Sequence, residues 1–343
     1  MKAEDGSKET IGRARRPNDV LRRLIGIVLA LALACAWEAA VFAAEPILEQ
    51  ITGKAPLVVM EQIARLEGPI GDPMAQPSDV VVTSSGVVWV LDGVHMRLAR
   101  FAADGRFERY VHLEGLPLDD HRLPVGLGID KMGRLLVGDR QRGTIKLLRS
   151  DGSLDLTIPI PCEPSEQPAD PTDVLPSASG QTLLVADNDN HCVKEIDLTG
   201  RLIRRLGRRG SGVGEMNYPA TIALAAGGEI VATDVLNSRV DVFARAGQPL
   251  QAVGSRGVVA GKFYRPKGVA VDRVGRLHVT DSLSGIVQTF HLDGRLIGVW
   301  GTPSDQPYRL RSPATIWADG SERFYVVEML ANCVTVWRER PRR

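Results

Sequence analysis

The stretch Pro266-Lys-Gly-Val-Ala-Val-Asp272, Arg273-Val-Gly-Arg276, Leu277-His-Val-Thr-Asp281, Ser282-Leu-Ser-Gly285, Ile286-Val-Gln-Thr-Phe290, His291-Leu-Asp-Gly294, Arg295-Leu-Ile-Gly-Val-Trp-Gly301 is one folding unit in 36 residues. Four short apolar runs rich in Val and Ile are separated by Gly turns, and Asp293-Gly294 is a hairpin signal. The pattern predicts four antiparallel strands. A lone four-stranded sheet of this kind has two apolar faces and cannot bury both.

Working outward, the unit repeats. A proline opens it at Pro77, Pro124, Pro171, Pro219, Pro266 and Pro313, at spacings of 47 or 48. An acid closes the second run in the same register, at Asp92, Asp139, Asp187, Asp234, Asp281 and Glu328. The turn recurs as Asp104-Gly105, Asp151-Gly152, Thr199-Gly200 and Ala246-Gly247. Four strands in about 47 residues, repeated, make the blades of a β-propeller, in which neighbours cover one another's faces. The class is therefore all-β, a six-bladed propeller of four-stranded blades. After Pro313 there is room for three strands, Ala314–Trp317, Phe324–Val327 and Val334–Trp337. Leu57–Glu67 has no blade of its own and is expected to supply the missing outer strand, closing the ring and removing its free edges.

The repeat resembles the NHL family over about residues 57–340, on Pro266–Asp272, the Gly turn, the strand ending at Asp281 and Phe290–Gly301. Repeats four and five fit the pattern. In the others Gly126 is present, but Asp79, Asp173 and Thr315 replace the Gly, and Glu328 replaces the Asp. The resemblance implies the six-bladed propeller and leaves function open, because propellers host many.

Seven basic residues lie within Met1–Arg23, followed by fourteen uncharged residues from Leu24 to Trp37 and small residues through Ala43 and Ala44. Residues 1–44 are expected to be a secretory signal or, uncleaved, an inner-membrane anchor through 24–44. Ala32-Leu-Ala-Cys35 loosely resembles a lipoprotein box, and Arg22-Arg23 is a weak twin-arginine pair. Residues 45–343 form the propeller, expected in the periplasm, secreted, or anchored at the outer face of the inner membrane. The chain has 42 basic and 41 acidic residues; without residues 1–44 it keeps 35 and 36. That balance argues against a whole-protein grip on nucleic acid. Three cysteines remain, Cys162, Cys192 and Cys333. Cys192 and Cys333 fall on opposite repeats, too far apart to bond.

The strand-end acids are expected to accept hydrogen bonds from the backbone of their own loops, with Asn190 and Asn237 aiding the turns. Resemblance to the amidating lyases among NHL-like propellers would imply zinc held by several histidines. None of His95, His112, His121, His191, His278 and His291 starts an inner strand, and His278 is expected to be packed. Resemblance to calcium-dependent lactonase-like propellers would ask for acids and an Asn converging on the axis. Asp79 and Asp173 are the candidates there, with Lys267 a further polar member. No Gly-x-Ser-x-Gly elbow or Cys-His pair is present. Tripartite-motif NHL propellers bind RNA or protein through basic and aromatic residues. Here Arg208, Arg209, Arg256 and Arg265 sit in loops entering inner strands, and with Lys267 they are the candidate contacts for a protein, peptide or glycan. The leading expectation is a non-catalytic binding or scaffold protein with no cofactor. The alternative is a metal-dependent lyase or lactonase, using calcium or zinc at the axial mouth.

Overall fold

The computed structural model describes residues 55–113, 126–302, 304 and 306–340. The expected signal or anchor, Pro124 and His121 lie outside the described residues. The described chain falls in one compact unit, Ile51–Arg343.

The first sheet is β2 (Pro77–Val82), β3 (Val88–Asp92), β4 (Arg97–Phe101) and β5 (Phe107–His112), and β1 (Leu57–Leu66) precedes it. The second is β6 (Leu127–Ile129), β7 (Leu135–Asp139), β8 (Thr144–Leu148) and β9 (Leu154–Pro159). The third is β10 (Pro171–Pro176), β11 (Thr182–Asp187), β12 (Cys192–Asp197) and β13 (Leu202–Leu206). The fourth is β14 (Pro219–Leu224), β15 (Ile230–Asp234), β16 (Arg239–Phe243) and β17 (Pro249–Val253). The last sheet has eight strands. It holds β18 (Pro266–Val271), β19 (Arg276–Asp281), β20 (Ile286–His291), β21 (Leu296–Gly301), β22 (Pro313–Ala318), β23 (Arg323–Glu328), β24 (Cys333–Glu339) and β1. The strands β2, β6, β10, β14, β18 and β22 touch in turn, and β22 touches β2. The molecule is an all-β propeller of four-stranded blades.

Leu57–Leu66 pairs antiparallel with β24, from Met60 opposite Glu339 to Leu66 opposite Val334. It also pairs parallel with β21, Leu57 opposite Val299, which joins the last two groups of four into one sheet. The apolar clusters lie between sheets. Phe101, Val90 and Val82 of the first sheet meet Tyr325, Val327 and Val336 of the last. Trp300 and Val287 meet Trp337 and Phe324 across the eight-stranded sheet. Both faces of each sheet are thereby covered.

Asp281 and Asp139 accept backbone N–H groups of their own loops, from Leu283 (3.1 Å) and Ser284 (3.1 Å) and from Arg142 (3.3 Å), as the sequence leads one to expect, and the strand-end acids also reach further. Five of them accept a backbone N–H from the segment entering the first strand of the same repeat. The donors are Ala75 to Asp92 (2.8 Å), Asp170 to Asp187 (3.0 Å), Asn217 to Asp234 (2.7 Å), Tyr264 to Asp281 (2.6 Å) and Arg311 to Glu328 (2.8 Å). The partner is 17 residues upstream because that segment and the acid meet at the same end of the sheet. Asn190 and Asn237 donate to Asp187 (3.0 Å) and Asp234 (2.6 Å).

Candidate functional site

Five of the inner strands, β2, β10, β14, β18 and β22, start with a kink. The pairing register shifts between Pro77 and Asp79, Pro171 and Asp173, Pro219 and Ile222, Pro266 and Gly268, and Pro313 and Ile316. A bulge there breaks the usual alternation of side chains. The residue after each of these five prolines lines a cavity of about 420 Å³ at the axial mouth: Ser78, Thr172, Ala220, Lys267 and Ala314. Lys267 is the charged member of this set. Arg140, Asp170, Asn188, Tyr218 and Arg265 complete the polar wall.

The next residue of each strand ties neighbouring sheets together. Asp79 accepts from Val80 N–H (2.8 Å) and from Leu127 N–H (2.7 Å) of the following sheet. Asp173 accepts from Val174 (2.7 Å) and Ile222 (2.7 Å) in the same way. Thr221, which also stands where the repeat pattern has Gly, accepts from Val269 N–H (3.1 Å) and donates to the Lys267 carbonyl (2.8 Å). At Gly268 a Cβ would meet Thr315 Cα at 2.6 Å, so glycine is what lets these strands approach. Asp79 also lines a second cavity of about 360 Å³ at the far end of the axis, with Asp173 and an apolar wall of Leu127, Leu175, Val271 and Trp317.

Burial, and for Asp79 the charge of Asp173, pushes both carboxyls up, Asp79 well above the usual range and Asp173 to about 7. Lys267 is half-buried. Burial and the neighbouring Arg265 charge lower its pKa, against the opposing pull of Asp79. Its ammonium has no hydrogen bond or ion pair among the described residues.

The structure brings Lys267, Arg265 and Asp79 to one cavity. Arg208 instead pairs with Glu215 of its own loop (3.1 Å), and Arg256 donates to the Leu236 carbonyl (3.0 Å). Neither they nor Arg209 line the axial cavity. The loops still share one face: Asn237 donates to Gly210 O (2.8 Å), and Tyr218 N–H to His191 Nδ1 (3.1 Å). Arg140, Asn188 and Tyr218 were not singled out by sequence. Each flanks a landmark that was, being next to Asp139, Asp187 and Pro219.

Among the described residues the donor set around the axis does not fit zinc or calcium. His278 is buried against Trp300 and Phe324 and bonded to Asp272 (3.1 Å) and Thr289 (3.1 Å). Among the described residues no three His, Cys, Asp or Glu side chains converge as a metal site would need. Both oxygens of Asp79 and of Asp173 already face N–H donors, and the Lys267 ammonium shares the mouth. Cys162, Cys192 and Cys333 are unbridged. No helix among the described residues is long and apolar enough to cross a membrane.

No family model and no curated protein matches the chain. Solved structures are similar in fold. A gluconolactonase from Xanthomonas campestris is 17% identical, with a TM-score of 0.60 over 85% of this chain and 92% of its own. A catalytically inactive virginiamycin B lyase from Staphylococcus aureus, solved with quinupristin, is 15% identical, with a TM-score of 0.58 over 81% and 88%. A Bacteroides thetaiotaomicron protein of unknown function is 14% identical, with a TM-score of 0.59 over 82% and 76%.

Proposed function

We propose that this protein is an exported small-molecule enzyme of the lyase or lactonase kind, working in the axial cavity at the loop-rich mouth. The observation that carries the reading is the unpartnered Lys267 in a cavity of about 420 Å³ beside Arg265. A concave site with a few convergent polar groups and a perturbed lysine suits a small ligand. The lactonase and lyase among the structures of like fold support the same class. Arg265 offers positive charge, and Lys267 beside it a hydrogen-bond donor, to a carboxylate or to the oxyanion that forms when an ester carbonyl is attacked. The residues present route no step through a metal. In this reading the propeller has six blades of the NHL type that its repeats resemble. β18–β21 form one blade, and β22–β24 with β1 form the next, joined edge to edge by the parallel β1–β21 pairing.

The test is a panel of small lactones and cyclic esters assayed by proton release, with the parent and Lys267→Ala side by side. Turnover or ligand-induced thermal stabilisation by one class is expected in the parent and is lost in the variant. A parent that neither turns over nor is stabilised by any of the panel overturns the reading.

A further inference from the structure

We propose that Lys267 is a carbonyl-trapping amine, and that the compounds it takes are small oxo acids whose carboxylate is held by Arg265. The proposal rests on the axial cavity being the ligand site and adds the chemistry performed there.

Comparison of the lysines supports it. Lys194 is more deeply buried, but its ammonium is clamped by Glu166 (2.7 Å) and Asp187 (2.8 Å) and keeps its proton. Lys146 lies 3.8 Å from Asp139 and donates to Thr157 (3.3 Å). Lys131 is on the surface, near the Ala178 carbonyl (3.5 Å). Lys262 is exposed. Lys267 differs from all four. It stands on the rigid inner strand β18, its carbonyl is held by Thr221 (2.8 Å) and Thr233 (3.2 Å), and its ammonium makes no ion pair among the described residues, although Asp79 and Asp170 line the same cavity and Asp79 opposes the loss of its proton. Burial beside a second cation favours the neutral amine, which is the nucleophile. The Arg265 side chain also has no partner among the described residues, and a guanidinium can grip a carboxylate with two parallel hydrogen bonds. Asp79 lines the same cavity; burial near Asp173 pushes its carboxyl up, and both its oxygens accept backbone N–H groups, from Val80 and Leu127.

In the step, the Lys267 Nζ lone pair forms the N–C bond while the carbonyl π pair moves to oxygen, which takes a proton. The carbinolamine then loses that oxygen as water, the C–O bond breaking as the C=N bond forms. One amine and one carbonyl give one imine and one water, with no oxidant or reductant.

The experiment incubates the intact protein with glyoxylate and borohydride, then maps the adduct by mass spectrometry. One carboxymethyl group at Lys267 is expected. Lys267→Arg keeps a long basic side chain but removes the amine nucleophile, and it is expected to melt like the parent and carry no such adduct. Arg265→Ala is expected to slow trapping of glyoxylate by about tenfold and leave trapping of neutral butyraldehyde unchanged. Adducts spread evenly over Lys131, Lys262 and Lys267, or Lys267 unmodified while surface lysines react, would overturn the proposal. Should Lys267→Arg fail to fold, the site map on the parent and the Arg265→Ala contrast still decide it. Glyoxylate that raises the melting temperature without a trapped adduct removes the imine and leaves the axial ligand site standing. Neither stabilisation nor adduct counts against both.

Discussion

Asp79 and Asp173 are two acids with one task each, to hold an N–H of the next blade's inner strand, and both do it in a dry place. Two good hydrogen bonds favour the carboxylate, but burial favours the acid, and burial wins in both. The stability consequence has a definite sign. A carboxyl whose pKa is raised on folding contributes stability fully below its unfolded value, and that contribution is lost as pH rises through the folded value. Asp173, raised to about 7, loses its share between about pH 4 and pH 7. Asp241, raised to about 8 mainly by burial, adds to the same slope. Asp272, held below the usual range by His278 and Arg276 against its burial, acts oppositely and in more acidic solution. The melting temperature is expected to be highest near about pH 5 and to fall toward about pH 8. Asp173→Asn, which loses one of its two N–H contacts, is expected to melt lower at about pH 5 and to show a flatter decline. Thermal melts across that range check this, and an unchanged slope in the variant means Asp173 is ionised throughout.

The strand β1 shows how much of the fold the sequence carries. Leu57–Glu67 has apolar residues at strand spacing but no repeat around it, so its pairing with the chain's end follows from counting strands. Its parallel contact with β21 does not, because that contact joins edges from two different repeats and leaves no periodic mark. The inner strands show the opposite limit. Their prolines are plain in the sequence, and a strand read by simple alternation would send Lys267 and Gly268 to opposite faces. The bulge behind Pro266 changes that, and it leaves Lys267 on the cavity wall and position 268 against Thr315. Asp79 and Asp173 were legible as residues near the axis; their engagement by Leu127 and Ile222 was not, since those partners lie 48 and 49 residues away. Removing β1 tests its role. Without residues 45–68, the outer edge of β24 is bare and Met60, Val58 and Leu66 leave their clusters. Each lost large side chain is worth about 2 kcal/mol or more. The deletion is expected to abolish the cooperative melt or to produce aggregates. A truncated protein with the parent's melt would show that β1 is an accessory edge.

At the scale of the molecule, two regions compete for the role of working surface, and they can be separated. The axial cavity is built from inner strands that every blade holds in place. The loop face around it gathers Gly207–Met216 and Gly254–Tyr264, where Arg208 and Arg209 are exposed. The Arg208 ion pair with Glu215 is solvent-facing, its arginine side chain 77% exposed, so it contributes little to the fold. Arg239 does the structural work in that loop, donating to the carbonyls of Ser211 (2.8 Å), Gly212 (2.8 Å) and Glu215 (2.6 Å). Arg208→Glu with Arg209→Glu is therefore expected to leave the melting temperature nearly unchanged. If the axial cavity is the working site, the same variant keeps adduct formation at Lys267 within about twofold of the parent, because neither arginine lines that cavity and exposed charges are screened by salt. If the arginines draw an anionic compound toward the mouth, the variant traps glyoxylate more slowly than the parent in dilute buffer, the difference disappears at high salt, and butyraldehyde is unaffected. A variant that instead loses its melt would place these two arginines in the frame of the loop, beside Arg239, and not on its working surface.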